Sequence, residues 1–180
     1  YHNDRHGNDT RVVEAVAGKY RELGIPGAWF LLNDGYGCGF GEGPSKFPSD
    51  FALLDKVVST LKDRYGFVTG LWSSTGLPNI SREVTGSMAR VFKTDVGWIG
   101  GGYKYAFKSV EQCVRGIEDN SDARRFVWTV EGWAGTQRLA VMWTGDDSGS
   151  FDYIRWQIPT FVGAGFSAQA HVTGDVDGIF

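Results

Sequence analysis

Cysteine is scarce. The two that occur, Cys38 and Cys113, stand at a spacing that fits no metal site or redox motif, so they are either two free thiols or one bridge. Basic charge is not in excess either: 18 Lys and Arg face 21 Asp and Glu, a net charge of -3 with a pI near 5.6. Without a basic stripe to hold phosphates, a nucleic-acid partner is excluded and a neutral substrate fits better. No apolar run reaches the length of a membrane span, and the chain opens on polar residues where a secretory leader would be apolar. The expectation is a cytoplasmic chain or one whose start has been removed. The glycine-rich stretch Gly35-Tyr-Gly-Cys-Gly-Phe-Gly-Glu-Gly43 lacks G-x-G-x-x-G in register and has no Walker lysine after it, so it reads as a loop and not a phosphate cradle. Of three histidines, His2 and His6 flank Asp4 at a polar terminus, which accounts for them without a metal. His171 reads as a core or rim residue of a strand. No cofactor is expected.

Hydrophobic residues make up 42% of the chain and charged ones 22%, enough for one sizeable core. Asn8, Asp9 and Thr10 offer caps to a helical segment carrying Val12, Val13, Val16, Tyr20 and Leu23 on one face, ended by Gly24. Ala28 to Leu32 is a short run apolar on both sides, as in a buried parallel strand. Ser49 caps a second amphipathic helix through Phe51, Leu54, Val57, Val58 and Leu61. Further strands are expected at Phe67 to Trp72, Arg90 to Thr94, Arg125 to Val130, Ala140 to Thr144 and Ala168 to Thr173. Helix is expected at Tyr103 to Glu118, briefly near Gln137, and at Ile154 to Val162 with a kink at Pro159. Strand alternating with helix argues for right-handed βα units on a parallel sheet. A (β/α)8 barrel is the expected closure, and a doubly wound sheet is the alternative.

In such a barrel the chemistry gathers at the C-terminal ends of the strands. Those positions are acidic here: Asn33 and Asp34, Asp95, Asp146 and Asp147, Asp175 and Asp177, with Trp72, Trp98, Trp133 and Trp143 beside them. Paired carboxylates with aromatics and no metal ligands suit glycoside hydrolysis, in which one carboxylate attacks the anomeric carbon and another protonates the leaving oxygen. An Asp in this position also commonly caps the next helix. Asp147 is given that structural role, which leaves Asp146 for chemistry.

At Phe92-Lys-Thr-Asp95-Val-Gly and Trp143-Thr-Gly-Asp146-Asp-Ser-Gly-Ser-Phe the sequence resembles family 31 of the glycoside hydrolases. The likeness extends over almost the whole chain, through Gly24-Ile-Pro, Arg138 ahead of Asp146, and Gly174-Asp175-Val-Asp-Gly178. Trp128-Thr-Val-Glu-Gly-Trp-Ala-Gly-Thr-Gln-Arg138 looks most like the branch of 6-α-glucosyltransferases and isomaltosyltransferases. The resemblance implies a retaining α-glucosidase or α-glucosyltransferase with Asp95 as nucleophile and Asp146 as acid/base. It implies Asp34 (or Asn33), Trp72, Lys93, Arg138, Trp143 and Asp175 as substrate-binding residues, and Trp98 and Trp133 as candidates for acceptor sites. An α-gluco-oligosaccharide would be the substrate. Val130 and Glu131 stand where many members carry an Arg. The resemblance further implies that residues 1–180 are the central part of a single catalytic barrel, a fragment lacking its first and last strands and the flanking β domains. Secretion or cell-surface display of a full-length parent is compatible with the family. The competing reading is a non-catalytic carbohydrate-binding relative on the same fold, and retention of both carboxylates argues against it.

Overall fold

The computed structural model describes residues 12–32, 51–73, 80–95 and 101–176. Helix α1, Val12–Glu22, turns Val13 and Ala17 inward. It ends where Gly24 adopts φ +68°. There the Ile25 N–H bonds the Tyr20 carbonyl and the Gly24 N–H bonds the Arg21 carbonyl, the paired bonds of a Schellman cap that a glycine at this position permits. The chain then alternates through β1 (Trp29–Leu32), α2 (Phe51–Asp63), β2 (Val68–Ser73), α3 (Ile80–Thr85), β3 (Ala89–Thr94), α4 (Tyr103–Glu118), β4 (Val127–Thr129), a 3-10 turn at Thr136–Arg138, β5 (Val141–Trp143), α5 (Phe151–Phe166) and β6 (Val172–Thr173). The six strands form one parallel sheet in the order β1-β2-β3-β4-β5-β6. A doubly wound sheet reverses direction partway across; strands that neighbour each other strictly in chain order wind one way, as in a barrel.

The two faces of the sheet carry different residues because successive side chains point to opposite sides. Phe30, Leu32, Leu71, Phe92 and Val127 pack against Val13, Ala17, Leu54, Val57, Leu61, Val110, Cys113 and Ile117 of the helices in one buried core. Cys113 is a free thiol within it, which removes the disulfide alternative. On the other face Trp29 of β1 meets Trp128 of β4 with ring centres 5.5 Å apart, although two strands separate them. Only a sheet curled toward that face brings these rings together, so it is the barrel interior.

Strand ends differ from the sequence reading by one to four residues, as when β6 begins at Val172 instead of Ala168. Helix α3 was not anticipated. Helix α5 starts earlier than expected, capped by Ser150, whose Oγ accepts from the Tyr153 N–H at 3.2 Å, and continues past Pro159 to Phe166. Asp147 is therefore not the cap. It turns inward, fully buried, and its Oδ2 accepts from Gln157 Nε2 (2.7 Å), the Asp175 N–H (3.1 Å) and Thr144 Oγ1 (3.2 Å), tying β5, α5 and β6 together. Helix α5 exposes Phe151, Ile154, Trp156, Ile158, Val162 and Phe166. No helix among the described residues is long and apolar enough to cross a membrane. The α5 terminus also repeats the Schellman bonds with a non-glycine residue: Gln169 N–H to the Ala164 carbonyl and Ala168 N–H to the Gly165 carbonyl, with Ala168 at φ +61°. Ala168 is exposed and its Cβ makes this conformation costly. Ala168→Gly should stabilise the fold by about 0.5–1 kcal/mol, seen as a rise in thermal midpoint of about 2 °C.

Candidate active site

Strand β3 delivers two inward residues, Lys93 and Asp95, one step apart on the interior face. Trp72 of β2 and Trp128 of β4 are in register with Lys93 on either side. Asp95 sits just beyond the strand, where its N–H still bonds the Ser73 carbonyl at 3.1 Å and holds the backbone to β2. Asp95 as a whole is 7% exposed. Asp95 Oδ2 accepts from Trp72 Nε1 at 3.0 Å and lies 3.0 Å from Lys93 Nζ. A buried carboxylate survives only with such partners, and charge-assisted bonds fix its direction as well.

Lys93 is completely buried. Its ammonium is 3.8 Å from the centre of the Trp143 ring and 5.1 Å from that of Trp128, which places a cation against two aromatic faces. Burial pulls the Lys93 pKa down, against the opposing pull of Asp95 and, more weakly, of Asp146 and Asp175. Trp143 points its indole N–H at Asp175 Oδ1, 2.8 Å away. The Asp175 carboxyl is raised above its ordinary range by burial, with that indole bond opposing. Gly145 has φ +98°, a conformation that glycine tolerates and that turns the chain sharply between Trp143 and Asp146. Asp146 is exposed. Its proton affinity is raised by loss of solvent, lowered by Lys93, and raised again by Asp95 and Asp147.

The strand ends thus bring together Asp95, Asp146 and Asp175 around one buried ammonium, with Trp72 and Trp143 as ligands to two of the carboxylates. Trp72 is 1% exposed, and its indole N–H is spent on Asp95. Removing that bond with Trp72→Phe should cost about tenfold or more in kcat/KM, because a hydrogen bond to a charged group contributes about 1.5–3 kcal/mol. A KM left unchanged in that variant would locate the loss in orientation of Asp95 and not in substrate affinity.

Arg138 is not brought to this cluster. It precedes β5, its carbonyl accepts from Arg125 ahead of β4 at 3.2 Å, and its side chain returns to the Gly135 carbonyl. That is the outer layer, toward the opposite end of the strands. His171 likewise precedes β6 and is exposed. Trp133 is exposed and packs edge-on against Tyr103 at the start of α4, 5.8 Å away. Asn33, Asp34, Cys38, Trp98 and Asp177 lie outside the described residues, as do His2, His6 and the glycine-rich stretch. Two residues near the site were not singled out from the sequence. Trp128 was legible in principle from the alternation of its strand, whereas Glu131, buried just past β4, gave no signal beyond its departure from the family pattern. Among the described residues no group of three or more His, Cys, Asp or Glu could hold a metal ion.

One carboxylate is buried and charge-paired, and another is exposed with a raised proton affinity. The TIM-barrel domain of the glycosyl hydrolases family 31 matches residues 79–180. The chain belongs to glycoside hydrolase family 31.

Alpha-glucosidase 2 of Bacillus thermoamyloliquefaciens is 28% identical over 152 residues, covering 77% of this chain and 19% of that protein. Glucosidase 2 subunit alpha of Saccharomyces cerevisiae is 32% identical over 66 residues, 37% of this chain and 7% of the relative. Among solved structures, a family 31 alpha-xylosidase from Xanthomonas citri superposes with TM-score 0.72 at 15% identity, over 96% of this chain and 27% of that one. Glucosidase II alpha subunit superposes with TM-score 0.64 at 14% identity, over 96% of this chain and 27% of that chain. The family 31 segment described here therefore spans about a fifth of the bacterial relative.

Proposed function

We propose that the protein carries out retaining hydrolysis or transglycosylation of α-glucosidic bonds in α-1,4- and α-1,6-linked gluco-oligosaccharides. The observation that carries this reading is the contrast between Asp95, buried and held by Lys93 and Trp72, and Asp146, exposed with a raised proton affinity. A glucosyl unit bound near Trp143 and Asp175 would present its anomeric carbon to Asp95. Asp146 would donate its proton to the departing oxygen as a β-glucosyl ester forms at Asp95 through an oxocarbenium-like state. Asp146, now a base, would deprotonate the acceptor that attacks the ester and restores the α configuration. Water as acceptor gives hydrolysis and a sugar gives transfer. The block from Trp128 to Arg138 supports transfer, with Trp133 as an aromatic surface for the acceptor. The names of the relatives, an alpha-glucosidase and two alpha subunits of glucosidase 2, support an α-glucoside as donor.

The test is incubation of the full-length protein with a fluorinated α-glucosyl fluoride that forms the ester faster than it is broken, followed by intact mass and peptide mapping. One added glycosyl group on Asp95 supports a retaining enzyme. Absence of label together with absence of turnover of α-glucosides overturns the proposal and favours a carbohydrate-binding relative.

A further inference from the structure

Glu131 lies two residues past β4 and is 3% exposed. Its Oε2 is 2.7 Å from Ser109 Oγ of α4, while Oε1 is buried with no hydrogen-bond partner. The same Ser109 Oγ is 2.7 Å from the Ala106 carbonyl oxygen. One hydroxyl proton therefore faces two acceptors at equal distance, and a carbonyl oxygen has no proton to return. Full satisfaction of both contacts requires Ser109 to donate to Ala106 and a protonated Glu131 Oε2 to donate to Ser109. On its backbone side the Glu131 N–H reaches Thr129 Oγ1 at 3.1 Å, and Thr129 Oγ1 is 2.7 Å from Thr94 Oγ1, the residue before Asp95. The chain of contacts runs from α4 through Glu131 and β4 to the end of β3.

We propose that Glu131 is a positioning residue held as a neutral acid, which clamps the ends of β3 and β4 to α4 and so fixes the backbone that carries Asp95. The neutral state keeps a second negative charge away from Asp95. Burial pushes the Glu131 carboxyl up to about 7, with Ser109 and Thr129 opposing and the Asp95 charge adding to the rise. The titratable groups that face it are Asp95 from β3 and Cys113 from α4, and Cys113 in turn faces Glu83 of α3. None of them offers a cation that would favour the ionised form. A folded-state value above that of the unfolded chain stabilises the fold at low pH, and this stability is lost as pH rises toward 7.

The inference rests on the proposed role of Asp95, and two measurements on the full-length protein keep the two claims apart. The first is thermal unfolding of the wild type, Glu131→Gln and Glu131→Ala from pH 5 to pH 8. Glutamine is neutral throughout and its NH2 group donates to Ser109, so the advantage of Glu131→Gln over wild type should widen by several degrees across that range. An advantage independent of pH overturns the neutral-acid assignment. The second is kinetics at pH 6. Glu131→Gln should keep kcat within about threefold of wild type, while Glu131→Ala loses about tenfold in kcat with KM changed by less than about twofold. Equal losses in both variants, or a loss confined to KM, overturn the positioning role. A pH-dependent gap in melting in a protein that turns over no glycoside would overturn the reaction at Asp95 and leave the proton on Glu131 supported.

Discussion

Asp95→Asn should abolish glycosyl transfer while leaving the fold and ligand binding in place. The substitution preserves shape and an acceptor for the Trp72 N–H, so circular dichroism and binding of a gluco-oligosaccharide should match wild type. What it removes is the nucleophilic oxygen and the negative charge that pairs with Lys93 at 3.0 Å. Loss of a group that forms the covalent intermediate is expected to cost at least about four orders of magnitude in kcat. The stereochemistry gives a sharper outcome. With Asp95→Gly, α-glucosyl fluoride and azide, the anion would attack the anomeric carbon directly from the face vacated by the carboxylate. One displacement inverts, so the product should be β-glucosyl azide. Retained turnover of α-glucosides in Asp95→Asn, or formation of the α-glucosyl azide by Asp95→Gly, removes Asp95 from the nucleophile's place.

Asp146→Ala should lower kcat by about 10²- to 10⁴-fold, the usual contribution of general acid–base catalysis. The loss should depend on the substrate. An aryl glucoside whose phenol leaves without protonation should be affected mainly in the second step, and a natural oligosaccharide in the first. Azide added to this variant would intercept the ester at Asp95, and two successive displacements should give α-glucosyl azide, the opposite anomer to that expected from Asp95→Gly. Proton affinity at Asp146 is raised above the ordinary carboxyl range, so its acid form persists to higher pH than a solvated aspartate. The alkaline limb of kcat/KM in the wild type should accordingly lie above the range of a solvated aspartate, and that limb should vanish in Asp146→Ala. A limb unchanged by the substitution would assign the acid role elsewhere.

Both carboxylates were legible in the sequence because each follows an apolar run, and in a parallel sheet that position fixes which end of the strand it occupies. Period-two alternation puts Lys93 on the face of Asp95, which is where the structure has it. Asp147 was misread because a strand-end acid that caps a helix and one that turns inward have the same local sequence. Only the distant partners Gln157 and Asp175 decide between them. Arg138 was carried to the site by a motif match alone. The short passage from β4 to β5 through Thr136–Arg138 leaves it in the outer layer, a placement that depends on loop length and not on residue type. Helix α3 escaped notice because six residues scarcely exceed one turn and a half, too few for a periodic stripe to show. The neutral-acid reading of Glu131 needed coordinates, since it rests on one hydroxyl of α4 facing two acceptors.

The order of the strands bears on how the protein is made. Each strand pairs with the one synthesised just before it, so every new strand leaving the ribosome meets a template already in place. Paired residues lie from 13 positions apart (Trp128 and Val141) to 39 (Trp29 and Val68), so each pairing closes a loop before its contacts repay the entropy, and a parallel sheet of this kind forms slowly. The meeting of Trp29 with Trp128 across the interior marks the stage at which the growing ribbon must curl. The interior face that carries Lys93 and Asp95 therefore closes only once β4 is paired, because Trp128 supplies both the ring that meets Trp29 and the register partner of Lys93.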